Sequence, residues 1–303
     1  METVLITGGS GLIGNLLSRK LKEKGYEVAL LSRKKKVKPG FSIYSWDLKK
    51  NEIEQEAINR CNYIIHLAGA NVSSRLWSKK RKQIIIDSRV KSVHLLFDKI
   101  SASGNRLKAF ISSSAVGFYG AVTTDKIFTE SDPPGHDFLA ETCRLWEEAA
   151  DKFKAIGIRT VKIRSGVALS NKGGALPKIL APVEIGLGSA IGNGKQYMPW
   201  IHLDDLCEIY IKALEDSKME GAYNAVAPDH KTNKEFTLTL ARLVKEPFWF
   251  PNTPVFFLKL IFGEMANTIA KGSRVSSKKI LETGFKFKFP DLENALRDLL
   301  EVE

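Results

Sequence analysis

The sequence predicts an α/β protein: a doubly wound parallel sheet with a smaller C-terminal α/β region attached. Three observations predict it. The first two thirds of the 303 residues alternate short β-branched runs with amphipathic helical patterns. The strand runs are almost continuously apolar, as strands covered by helices on both faces must be. A glycine-rich turn joins the first strand to the first helix within the opening residues.

The elements follow in order. "TVLIT" (3–7) is a strand, and "LIGNLLSRKLKEKG" (12–25) is a helix stopped by Gly25. "EVALLS" (27–32) and "FSIYSWD" (41–47) are the next strands, then a helix over 52–59 and the strand "NYIIHLAG" (62–69). A long helix over 78–102 leads to the strand "KAFISSS" (108–114); a helix over 137–156 leads to "RTVKIRSG" (159–166). After residue 170 the texture changes to Gly-, Pro- and aromatic-rich segments such as "GLGSAIGNGKQYMPWIH", followed by the helix "LDDLCEIYIKAL". The expected division is a dinucleotide-binding unit over 1–170, rejoined by 203–226, and a substrate-side unit over 171–303. The last fifty residues read as helical apart from "FKFKFP" (285–290). "PVFFLKLIFGEMA" (254–266) is the most apolar stretch; it is too short for a bilayer span, carries Lys259, and reads as a buried or partner-facing helix.

Composition narrows the class. The chain is 44% hydrophobic and 26% charged, which suits a folded core. The net charge of +12 is concentrated in runs such as "SRKKKVK" (32–38) and "SKKRK" (78–82), which read as solvated faces. No nucleic-acid-binding motif accompanies them, so no nucleic-acid partner is expected. Cys61, Cys143 and Cys207 are widely spaced and form neither a disulfide framework nor a C-x-x-C metal pair. No metal and no membrane partner are expected. A reducing, cytoplasmic location is expected, the chain opening on a strand rather than a signal peptide.

The chemistry begins at "TGGSGLIG" (7–14). Gly8 and Gly9 permit a tight turn, Gly11 lets backbone approach a pyrophosphate, and Gly14 allows close helix–strand packing. Ser10, Leu12 and Ile13 then sit at the helix N-terminus, where backbone N–H groups favour phosphate. The end of the second strand separates the two nicotinamide dinucleotides. An acid there would bind a ribose 2′-hydroxyl; Ser32-Arg33-Lys34 stand there instead, and Arg33 offers a forked contact to a 2′-phosphate. NADP is therefore expected over NAD, on a Rossmann-type sheet. Asp47, with Leu48 after it, closes the third strand as an acceptor for the adenine amino group or as a turn aspartate. Leu67, Ala68 and Gly69 end the fourth long strand at the carboxyl edge, where small residues let the cofactor approach; His66 reads as packed rather than catalytic.

In this order, these residues resemble the extended short-chain dehydrogenase/reductase superfamily, epimerase/dehydratase type. "SSSAVGFYG" (112–120), "DFLAETCRLWEEAA" (137–150), "RSGVALSNKGGAL" (164–176), "GKQYMPWIHLDDL" (194–206) and the C-terminal "LKLIFGEMA…LETGFKFKFPDLENAL" resemble one atypical branch, labelled sugar-nucleotide epimerase or cell-division inhibitor, with a C-terminal domain of unknown function. The resemblance implies an active-site Ser at Ser114, with Ser112 and Arg89 near the cofactor. It implies a Tyr-x-x-x-Lys pair at the start of the following helix. Leu139 and Cys143 stand in those positions, and Glu147 matches the acid that follows the lysine.

The missing tyrosine redirects the mechanism. Leucine transfers no proton, and a serine alone is a weak base. Cys143, Tyr119 and His202 are the available substitutes, each with an ordinary packing role as the alternative. Ser114 and Cys143 are the candidate catalytic pair. The segment 173–202 is expected to line a second pocket through Lys195, Gln196, Tyr197 and Trp200. The expected function is an NADP(H)-dependent oxidoreductase-like protein acting on a small molecule, with a homodimer compatible. The alternative is a non-catalytic sensor of NADP(H) state.

Overall fold

The computed structural model describes residues 1–34, 39–104 and 107–302. β1 (Thr3–Thr7) is buried at every position. α1 (Leu12–Glu23) ends just before Gly25, whose φ of +87° turns the chain out of the helix. β2 (Glu27–Ser32) and β3 (Ser42–Asp47) follow. The expected helix over 52–59 opens instead as a short strand, β4 (Glu52–Ile53), and α2 begins only at Gln55 (Gln55–Arg60). Asn51 takes a left-handed φ of 56°, and Ile53 pairs antiparallel with Trp46, burying both side chains.

β5 (Tyr63–His66) leads to α3 (Lys79–Ser103), capped by Ser78 Oγ on the Arg81 N–H and ended by left-handed Gly104. β6 (Ala109–Ala115) runs into a 3₁₀ turn, Val116–Tyr119. β7 (Ile127–Phe128), α4 (Phe138–Ala155), β8 (Arg159–Ser165) and β9 (Val167–Leu169) come next. The remainder comprises α5 (Leu176–Val183), β10 (Trp200–His202), α6 (Leu203–Glu215), β11 (Gly221–Ala225), α7 (Asn233–Leu243), α8 (Val255–Phe262), α9 (Ala266–Ala270), β12 (Arg274–Val275), α10 (Lys278–Glu282) and α11 (Leu292–Leu300).

The central sheet has eight strands in the order β11-β8-β6-β5-β1-β2-β3-β4, and only β4 is antiparallel. Strand order reverses at β1, with Thr7 level with Leu31 on one side and His66 on the other. Ligands of open parallel sheets bind in the crevice at such a reversal, beyond the carboxyl ends of the strands.

The sheet separates two cores. Val4 and Ile6 of β1 pack with Leu17 and Leu21 of α1 and Leu206 and Tyr210 of α6. Leu5, between them, faces the opposite layer of α2, α3 and α4, with Ile58, Leu96 and Phe153. A third core joins α5, α7 and α11 in the C-terminal region, around Leu176, Phe236 and Leu296. In "FKFKFP" the phenylalanines alternate as in a strand, yet no strand forms. The backbone N–H groups of Lys288 and Phe289 donate to the buried Asp205 carboxylate at 2.8 and 3.0 Å instead.

Candidate functional site

The glycine turn is built by close contacts that a side chain would break. Gly8 has a φ of +71°, and a methyl added to it would meet the Leu67 backbone at 2.9 Å. A methyl on Gly14 would lie 2.4 Å from the Gly8 carbonyl oxygen, so helix and strand approach only because position 14 is bare. The Gly11 N–H donates to the Gly8 carbonyl at 2.9 Å, closing the turn. α1 then starts at Leu12 with no side-chain cap and no acid in its first turn. Its N-terminal N–H groups, including that of Ile13, thus present uncompensated positive partial charge to the crevice. A cleft of about 390 Å³ is lined by Ser10, Gly11 and Leu12, by Lys172, and by His202 and Leu299.

Thr7 shapes the neighbouring strand end: its Oγ1 accepts the N–H groups of Leu67 and Ala68, each at 3.1 Å. This ends β5 at His66 and bends "LAG" across the crevice. Arg89 of α3 reaches that bend, donating to the Ala70 carbonyl at 3.1 Å and its own helix carbonyl of Ile85 at 3.0 Å. Its guanidinium lies 5.0 Å from the Trp146 ring centroid and so close to Gly69 that a methyl there would meet Cζ at 2.9 Å. His66 is fully buried beneath. Trp146 Nε1 donates to its Nδ1 at 3.3 Å, so Nε2 carries the proton and bonds Ser92 Oγ at 2.7 Å. Burial drives its pKa down from 6.5 to about 3, and the Arg89 charge adds to the shift.

At the other side of the crevice, Ser32 Oγ accepts the Lys34 N–H at 3.3 Å and donates to the Lys34 carbonyl at 2.8 Å. Arg33 and Lys34 are exposed; residues 35–38 of the basic run lie outside the described residues. Asp47 accepts the Lys49 and Lys50 N–H groups at 2.8 and 3.3 Å, so one of its oxygens builds the turn; Leu48 packs on the neighbouring core.

The β6 serines diverge. Ser112 Oγ donates to the Ser113 carbonyl at 3.0 Å, and Ser113 Oγ pairs with Tyr210 at 2.7 Å. Ser114 Oγ donates to Glu147 Oε1 at 2.7 Å. Glu147 is clamped by Arg164 of β8, Nε to Oε1 at 2.8 Å and Nη2 to Oε2 at 2.9 Å, with both side chains buried. Arg164 also donates to the Tyr119 hydroxyl at 3.0 Å, which itself donates to Asn224 at 2.6 Å. Tyr119 is thereby held in a buried network, its pKa pushed up to about 12 by burial. His202 caps α6, its Nδ1 accepting the Asp204 N–H at 3.1 Å. Burial lowers its pKa, so its 3.3 Å approach to Asp298 is a contact with a neutral ring rather than an ion pair.

Leu139 and Cys143 share the face of α4 turned to the chain leaving β6: a methyl on Gly117 would lie 3.4 Å from Leu139 Cβ and 3.9 Å from Cys143 Sγ. The Cys143 thiol is buried against Ser114 and the Ala115 backbone. Burial pushes its pKa up to about 12, the Glu147 charge adds to this, and the Arg89 charge opposes it, so the neutral thiol is the resting form. Trp200, expected to line a second pocket, instead belongs to the C-terminal core, with Nε1 bonded to the Asp229 carbonyl at 3.0 Å. Gln196 is also buried, Lys195 is exposed, and Tyr197 lies under the Arg274 guanidinium.

The model of the "NAD dependent epimerase/dehydratase family" matches residues 4–225, nearly three quarters of the chain, and so spans β1 to β11. The chain belongs to that family. Residues 253–299 match a second family model, a domain of unknown function named DUF1731. The Bacillus subtilis "epimerase family protein YfhF" is 36% identical over 98% of this chain and 97% of its own length. The mouse "epimerase family protein SDR39U1" is 35% identical over 98% and 99%. The crystal structure of the human SDR39U1 protein (isoform 2) with NADPH superposes with a TM-score of 0.87 at 33% identity, covering 99% of both chains.

Sequence reasoning missed Thr7, Arg164 and Trp146 as parts of this family member's site. Each acts through a tertiary contact. The available signals were indirect: an arginine near the carboxyl end of a strand, and a threonine opening the glycine motif.

Proposed function

We propose that the chain is an NADP(H)-binding, oxidoreductase-like protein of the atypical short-chain dehydrogenase/epimerase type, acting on a small substrate. One observation carries the cofactor half: an uncapped α1 N-terminus behind a glycine turn, with Arg33 exposed at the end of β2 where an acid would select NAD. Leu12 and Ile13 N–H groups would hold the pyrophosphate, Arg33 and Lys34 the 2′-phosphate, and Gly69 would lie under the nicotinamide half beside Arg89. The NADPH of the human relative supports this reading. The bound cofactor supplies hydride to a carbonyl carbon, or accepts it from an alcohol carbon.

The chain supplies the rest. Ser114 gives its hydrogen to Glu147, so its lone pairs receive a substrate hydroxyl. The neutral Cys143 thiol is a proton donor to a carbonyl oxygen, and Arg89 stabilises the thiolate left behind. The test has two stages. Titration of protein fluorescence should show NADPH bound at least about tenfold more tightly than NADH, with the preference lost in Arg33→Ala. A screen of carbonyl compounds should then find substrate-dependent NADPH oxidation that Cys143→Ser slows. Equal affinity for the two cofactors would sink the first claim, and full turnover in Cys143→Ser the second. A second reading, a sensor of NADP(H) state without turnover, is favoured by Leu139 in the tyrosine position and by the locked Tyr119; tight binding with no oxidation across the screen is its signature.

A further inference from the structure

The outer face of α8 carries large apolar side chains that are exposed. Phe256, Phe257, Leu260 and Ile261 are 58%, 50%, 77% and 64% exposed, while Leu258 is the buried residue of this helix. Leu76 extends the patch from another part of the chain: it is 58% exposed, and a methyl on Gly263, at the end of α8, would lie 3.9 Å from its Cδ2. Trp249, 70% exposed, stands just before α8. Single exposed hydrophobes need no explanation, but a cluster on one helix face marks a binding surface.

The charge beside it is predominantly basic. The two segments in contact at this face, 75–82 and 255–264, hold Arg75, Lys79, Lys80, Arg81, Lys82 and Lys259 against one carboxylate, Glu264. That carboxylate is paired with Lys82. Arg75, Lys79 and Lys80 are exposed next to Leu76, and Lys259 is exposed on α8 itself. The same loop reaches the site, since the Trp77 ring packs 4.9 Å from Phe138, the residue before Leu139.

We propose that this face docks the protein on an anionic membrane surface. An apolar helix face with a tryptophan beside it enters the headgroup boundary, and a basic rim meets acidic lipid headgroups. α8 is eight residues long, so it lies in the interface rather than across it. The charge also decides between occupants: a second copy seated on this face by two-fold symmetry would set the basic rim against itself. This differs from the sequence expectation of no membrane partner, because the pattern alone did not show which side of the helix faces out.

The experiment is vesicle flotation of the full chain, with light scattering in parallel. With vesicles containing about one-third phosphatidylglycerol the protein should float, and with pure phosphatidylcholine it should not. Trp249 emission should shift to the blue on the anionic vesicles, and salt should weaken binding. A Leu260→Asp, Ile261→Asp double variant, altering exposed side chains only, should keep its melting temperature and NADPH affinity while vesicle binding falls about tenfold or more. A Lys79→Glu, Lys80→Glu variant should also bind less. The proposal is overturned if the wild type does not float, if the double variant floats equally well, or if the wild type is a dimer that the double variant dissolves without any vesicle binding.

Discussion

Around Ser114 a single carboxylate collects most of the polar contacts. Glu147 takes the Ser114 hydrogen and both arms of Arg164, and Arg164 in turn lies 3.5 Å from the Phe118 ring centroid and holds Tyr119. Removing one partner of a buried pair leaves the other charge without compensation. Glu147→Gln should therefore lower unfolding free energy by about 3–5 kcal/mol in urea titration, and a Glu147→Gln, Arg164→Met double variant should recover much of that loss. Additive losses would show that the pair does not act as a unit. From the sequence, Glu147 was legible only as the acid that the family resemblance implies four residues after Cys143. Its partner was not, because Arg164 comes from β8 and meets Glu147 only when the sheet and α4 are assembled.

The elements themselves were largely legible. β2 begins and ends where the apolar run does, and α3 starts one residue after its serine cap. α4 repeats this with Asp137, but its cap has two functions. Oδ1 accepts the Ala140 N–H at 2.9 Å, and Oδ2 accepts the Ala121 N–H at 2.7 Å, tying the helix to the chain beyond β6. That tie sets how Leu139 and Cys143 face Ser114. Asp137→Ala should cost about 1–2 kcal/mol of stability by denaturant titration, while Asp137→Asn should cost less. The same loss in both variants would mean that negative charge, not the cap geometry, matters. The start of α2 was not legible: Glu52 and Ile53 are compatible with a helix, and only pairing with β3 draws them into a strand.

At the scale of the molecule, acid stability follows from histidines that folding holds neutral. His66 falls from 6.5 to about 3 through burial, and burial also lowers His94, His202 and His230. Above pH 6.5 these groups are neutral whether folded or unfolded and contribute nothing. As pH falls below that value the unfolded chain takes up protons that the folded chain refuses, so stability is lost, for His66 by up to about 1.4 kcal/mol per pH unit. Urea midpoints should drop steadily between about pH 6.5 and 4.5, and His66→Gln should flatten part of that slope. A slope unchanged in His66→Gln would place the effect elsewhere.

What the sequence alone determined is what depends on local pattern. The strand–glycine–helix opening, the parallel α/β layering and the basic end of β2 all rest on residues close together in the chain, where periodicity and turn chemistry act directly. Only the tertiary structure decided the rest. It locked Tyr119 between Arg164 and Asn224, sent Trp200 into a core, spent the Ser114 hydrogen on Glu147 and left one side of α8 open to solvent. These outcomes depend on which groups remote segments bring within hydrogen-bond or packing distance, and burial then sets their charge, as it does for the thiol of Cys143.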